Sequence, residues 1–263
     1  MAAFENTKTR SREELKKHFR NGEIPSEDHF CTLIDSMINK QDDGFSKDDD
    51  NGMIIASTMH SGRFMALYRN IDDLDPFFVF ERDEKEKTAL KLSPVALQDA
   101  RKEKKEDDTF YFHGNGSLGL GKHCNEDFKL DVKGFAGMEG RAGTYKQGSV
   151  KADGQWHPIA TNLDNCQAFE VVARTGRKAS GRFAIMHAIA LSAFGKSSSN
   201  IRRTGAHYGF FWNKIKLRWR SNGTHDFRLE IKTSSNYGNG VQIYYNITRL
   251  WDDTKFLPDT YYY

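Results

Sequence analysis

IKLRWRSNGTHDFRLEIK, residues 215–232, decides the fold class. Ile215, Leu217 and Trp219 alternate with Lys216, Arg218 and Arg220; Asn222 and Gly223 supply a turn; and Phe227, Leu229 and Ile231 alternate with Arg228, Glu230 and Lys232 on the return. A period of two on both sides of an Asn-Gly pair predicts an antiparallel hairpin with one face on a core and the other in water. The cationic row Lys214, Lys216, Arg218 and Arg220 reads as the wetted face, with Glu230 across the turn to balance it.

Working outward, the same signals recur. In residues 167–174, Phe169, Val171 and Ala173 alternate with Glu170, Val172 and Arg174, and residues 155–159 form a short strand-like run before them. GRKASG then turns the chain into FAIMHAIALSAF, residues 183–194, which is apolar on both faces. Close turn signals on either side favour a central sandwich strand, although the alanine content also permits a buried helix. After a turn at residues 237–240, VQIYYNITRLW is the last long strand. The expectation for residues 134–263 is a β-meander in an antiparallel, jelly-roll-like β-sandwich.

Residues 1–44 read differently. Ser11 and Glu14 make a capping box, Leu15 and Phe19 an i, i+4 pair, and Asn21-Gly22 a stop. A second helix opening at Pro25-Ser26 carries Phe30, Leu33, Ile34, Met37 and Ile38 on one side. Such a helical hairpin is too small to stand alone, so the stripe docks either on its own protein or on a partner. The acid-rich stretch at residues 41–52 reads as a solvated turn, since it lacks the distal glutamate of a calcium loop. Strand-like runs in residues 53–68 and 76–81 make residues 45–133 a β-rich middle region. Residues 82–108 are dense in charge, with a short helix expected after Pro94.

The 263 residues carry 39 basic against 36 acidic side chains, a net charge of +3, too balanced to point to nucleic acid as the main partner. Cys31, Cys124 and Cys166 have no paired spacing and read as free thiols. The first residues lack the apolar core of a signal peptide, and no run approaches the length of a membrane span. The expectation is synthesis in a cytoplasm and, for a protein that acts outside, export by something other than the ordinary secretory route.

Residues 116–134, GSLGLGKHCNEDFKLDVKG, close the middle region with a glycine-rich connector. Gly114, Gly116 and Gly119 satisfy GxGxxG, and Gly116, Gly121 and Lys122 nearly make a phosphate loop. No helix periodicity follows, and His123 stands where a hydroxyl is needed, so no nucleotide cofactor is expected. Leu118, Gly119, Leu120, Gly121, Lys129, Leu130, Asp131, Val132 and Gly134 resemble the "LGIGT…KLDVxG" element of phage tail fibres and bacterial adhesin stalks. Residues 15–44 are similar to the N-terminal segment of tail-associated proteins in Bacteroidetes phages and their contractile injection systems. Residues 135–251 look like a domain found in such injection-system clusters.

The resemblance implies a cargo or effector protein carried by a phage-tail-like contractile injection system, with tube or other particle components as partners and Phe30, Leu33, Ile34 and Met37 as docking residues. A short tail fibre or adhesin is the alternative, in which Tyr208, Trp212, Tyr237, Tyr244 and Trp251 present aromatic faces to a cell-surface glycan or receptor. A hydrolase effector is a third class. No HExxH, GxSxG or paired acidic motif is present, so no catalytic residue, metal ligand or cofactor is assigned. His187, isolated in an apolar run, reads as a core histidine with a local hydrogen bond.

Overall fold

The computed structural model describes residues 10–40, 42–57, 62–95, 106–258 and 261. The chain is mainly β and divides into two compact units, Met1–Gly137 and Met138–Tyr263.

The first unit opens with two helices, α1 (Arg12–His18) and α2 (Glu27–Asp35). Ser11 caps α1 through the expected box, its Oγ accepting from the Glu14 N–H while Glu14 accepts from the Ser11 N–H. Phe19 meets Phe30 edge-on at 5.5 Å, and His18 stacks on His29 at 3.9 Å. Helix α2 ends at Asp35, where the Ser36 N–H bonds back to Thr32 and Leu33, so Met37 and Ile38, which the stripe predicts to be helical, lie beyond its end.

The acid-rich stretch holds a strand as well as a turn. β1 (Phe45–Asp48) pairs with β2 (Gly52–Ile55), and Asp48 closes the turn by accepting from the Asn51 N–H. A six-stranded sheet follows, ordered β3 (Arg63–Leu67), β4 (Phe78–Arg82), β5 (Leu90–Pro94), β6 (Phe110–Phe112), β7 (Leu118–Leu120) and β8 (Leu130–Val132). The helix expected after Pro94 falls on residues 96–105, outside the described residues.

The connector LGLG…KLDV becomes β7 and β8, the parallel pair at the sheet's end. The chain between them folds back so tightly that a Cβ on Gly119 would strike the Lys122 carbonyl and the Cys124 amide. Close approach of its own backbone, rather than of a phosphate, explains this glycine.

The second unit is a sandwich. A five-stranded sheet is ordered β13 (Ser199–Tyr208), β12 (Phe183–Ala193), β11 (Cys166–Gly176), β16 (Gln242–Trp251) and β9 (Lys146–Lys151). It faces a three-stranded sheet ordered β10 (His157–Leu163), β15 (Phe227–Thr233) and β14 (Ile215–Ser221). A short helix, α3 (Asp253–Phe256), follows β16.

The predicted hairpin is β14–β15, in the register Leu217↔Ile231 and Trp219↔Leu229. Among the described strands of this unit, β11–β12–β13 alone run as a three-stranded meander. β9 returns to β16 and β10 to β15, the winding of a jelly roll. Phe169, Met186, Phe227, Leu229, Ile231, Ile243 and Ile247 fill the space between the sheets. Full burial of each such side chain contributes about 1.5–3 kcal/mol.

FAIMHAIALSAF is the strand β12, but it is not covered on both sides. Ala184, Met186, Ala188 and Ala190 are buried, whereas Ile185 is 51% exposed and Ile189 and Leu191 also face solvent. His187 belongs to this outer row, not to the core, and there its Nε2 meets Glu170 Oε1 at 2.9 Å. Strand β13 escapes the sequence pattern because it is an edge strand exposed on nearly every residue.

Candidate binding surfaces

In the first unit, the stripe of the helical hairpin faces solvent. Ile34 is 60% exposed, Phe30 and Met37 are exposed, and Leu33 is half-buried; within the described helices only Leu15 is buried. The hairpin therefore presents apolar surface to solvent. The predicted docking residues run along the hairpin rather than meeting at one point: Phe30 packs on Phe19 beside the turn, and Met37 lies in the segment after α2.

The same unit brings together a constellation that sequence spacing hides. Glu86, His113 and His123 place one ligand atom each within 4.8 Å of one another. His113 is buried; its Nδ1 lies 2.7 Å from Glu86 Oε2, and its Nε2 accepts the Cys124 N–H at 3.1 Å. That second bond decides the chemistry. An Nε2 that accepts must be unprotonated, which puts the neutral ring's proton on Nδ1, where it donates to Glu86. Both nitrogens are then committed and His113 has no lone pair for a metal. Tyr111 packs on His123 at 4.1 Å, and Asp83 accepts from the Lys85 and Glu86 amides, so the group ties the connector loop to the turn after β4.

In the second unit, the predicted aromatic residues do not form one platform. Tyr237 is 6% exposed and packs in the core, and burial raises its phenol pKa, which removes it from any ligand surface. Trp251 sits seven residues along β16 from Tyr244, roughly 24 Å away. It is held there by the Nε1–H donated to Asp253 and by the Phe256 ring at 5.2 Å. Tyr244 lies on the solvent face of β16 beside Arg174, three strands from Tyr208.

What the fold assembles instead is the β13–β14 loop, YGFFWNK. Phe210 stacks on Trp212 at 4.6 Å with 8° between planes, and Phe211 meets Trp212 edge-on at 4.7 Å. Phe211 is 71% exposed, and Tyr208, Phe210 and Trp212 are exposed beside it. Asn213, fully buried, donates its Nδ2 to the Tyr208 carbonyl at 3.1 Å. Gly209 has φ +90°, and a Cβ there would lie 2.6 Å from the Gly181 carbonyl and 2.8 Å from Asn213 Nδ2. The loop is thus anchored from below and presents its rings outward. The run of aromatics is the signal readable in the sequence; the anchoring by Gly209 and Asn213 is not.

A comparison of the chain with protein-family models, curated proteins and solved structures returns no significant match.

Proposed function

We propose that this chain is a non-catalytic cargo or effector component of a phage-tail-like contractile injection particle, attached through its N-terminal helical hairpin. The observation that carries this reading is the solvent-facing row Phe30, Ile34 and Met37, an apolar stripe the described fold leaves for a partner to cover. The resemblance of residues 15–44 to tail-associated proteins names the kind of partner: tube or other particle components. The test is mass spectrometry of purified particles, protease-treated before and after contraction, for the parent chain and a Phe30→Ser/Ile34→Ser variant. Protection in the intact particle, loss on contraction, and absence of the variant from particles are the expected results. Digestion of the parent in both forms would overturn the cargo reading.

The second reading, a short fibre or adhesin, is favoured by the exposed aromatic loop at residues 208–212. Under it the chain is external and digestible in intact particles.

A further inference from the structure

We propose that the aromatic end of the second unit docks onto a lipid bilayer containing anionic headgroups. This goes beyond the particle reading and does not depend on it. Four loops meet at this end, residues 151–156, 177–182, 209–214 and 234–241. They are knitted together by the Tyr237 N–H to the Ala152 carbonyl at 2.9 Å, the Ser234 N–H to the Lys214 carbonyl at 2.8 Å, and Arg182 Nη1 to the Asn236 carbonyl at 3.2 Å. Phe210, Phe211 and Trp212 project from it.

Charge separates this end from the rest of a nearly neutral chain. The four loops carry Lys151, Arg177, Lys178, Arg182 and Lys214 against the single acid Asp153, which already accepts His157 at 2.8 Å. Exposed aromatic rings at the same end as a cluster of cations match the interface of an anionic bilayer, where rings enter the headgroup boundary and ammonium and guanidinium groups meet phosphate and carboxylate. Phe210 and Phe211 have no polar atom, so water is a poor final environment for them and hydrocarbon a good one. The anchored loop gives up little further conformational freedom on insertion.

A sugar fits less well. Phe210 and Trp212 lie nearly parallel at 4.6 Å and so cover one face of each other, leaving no slot between them. The charged side chains of the four loops are nearly all cations, and the one carboxylate, Asp153, is already engaged by His157.

The test is co-sedimentation of the full chain with vesicles of phosphatidylcholine alone or with phosphatidylserine added. We expect partitioning onto the mixed vesicles at least about tenfold stronger than onto pure phosphatidylcholine, weakening as salt shortens the Debye length. Phe210→Ser/Phe211→Ser should reduce binding about tenfold or more, and Arg177→Glu/Lys178→Glu should abolish the preference for phosphatidylserine. Ile189→Ser, on the exposed sheet face, should change neither. Thermal melting of each variant separates lost binding from lost folding. A vesicle-induced blue shift of tryptophan emission should disappear in Trp212→Phe and persist in Trp251→Phe. No sedimentation with phosphatidylserine vesicles, or unchanged binding by folded Phe210→Ser/Phe211→Ser, would overturn the proposal. So would displacement from phosphatidylserine vesicles by an uncharged soluble oligosaccharide competing for the same residues.

Discussion

Arg218 donates its Nε to Glu230 Oε2 at 2.7 Å across the β14–β15 pair, and Arg228 donates to the other oxygen of the same carboxylate at 2.7 Å. The Arg218 guanidinium lies 4.2 Å over the Trp156 ring, and together these groups bury Glu230 on what the sequence marks as the wetted face. Burial pushes the Glu230 carboxyl upward, but the hydrogen bonds and charges of the two arginines outweigh it, and its pKa lies below the ordinary glutamate value. A lowered pKa means that the ionised form stabilises the fold above the unfolded value, and that this contribution fades as pH falls through the folded one. Glu230→Gln should therefore lower the stability of the second unit by about 1–3 kcal/mol at neutral pH, less than a fully buried pair because both arginines are partly exposed. The gap between parent and variant should close on acidification below about pH 4. Thermal melts of both proteins across that range decide it; a gap independent of pH would show that Glu230 acts by shape alone.

The reading of His113 as a clamp rather than a ligand makes an opposite pair of claims. His113→Ala leaves the half-buried Cys124 amide without its acceptor beneath the connector, at a cost of about 1 kcal/mol, the lower end for an unsatisfied donor. Zinc or a chelator should leave the parent's melting unchanged. Calorimetry of the parent and His113→Ala with and without zinc tests both; a zinc-dependent rise in the parent, lost in the variant, would make Glu86, His113 and His123 a metal centre.

How much of this was legible depends on which side of a strand a residue's information lies. The β14–β15 hairpin was readable because alternation and an Asn-Gly turn coincide there. Strand β13 was not, because Arg202, Arg203 and Thr204 are all exposed and no alternation survives. His187 misled because its neighbours Ile185, Ile189 and Leu191 are apolar yet face solvent, and a sequence carries the polarity of a side chain but not whether a second layer covers it. The same limit applies to the aromatic candidates. Tyr237 and Tyr208 look alike as letters, but Tyr237 turns into the core from the loop at residues 234–241, whereas Tyr208 ends the exposed edge strand β13. Glu86 and His113 meet by the pairing of β4, β5 and β6, a long-range consequence with no local motif.

Gly119 offers a sharper test of the connector than the motif it resembles. A methyl there collides with backbone at Lys122 and Cys124, which cannot swing aside as a side chain would. Gly116, with φ +77° but open space around it, faces only conformational strain. Gly119→Ala should cost about 1–3 kcal/mol as overpacking and Gly116→Ala about 1 kcal/mol, ranked by urea unfolding of the two variants. Equal costs would mean that the loop at residues 122–124 does not press on β7.

The hairpin makes the last claim, because a surface kept for a partner should be dispensable to the fold. Leu15 is the buried residue of α1, and Leu15→Ala should loosen the hairpin by about 1–2 kcal/mol, below the range for a fully enclosed leucine. Ile34, exposed on α2, contributes little to folding, so Ile34→Ser should stay within about 0.5 kcal/mol of the parent. Amide hydrogen exchange across residues 12–35 reads both directly: faster exchange in Leu15→Ala and parental rates in Ile34→Ser are expected. If Ile34→Ser accelerates exchange as much as Leu15→Ala does, the stripe is part of the folded hairpin's own support, and docking must be sought elsewhere on the chain.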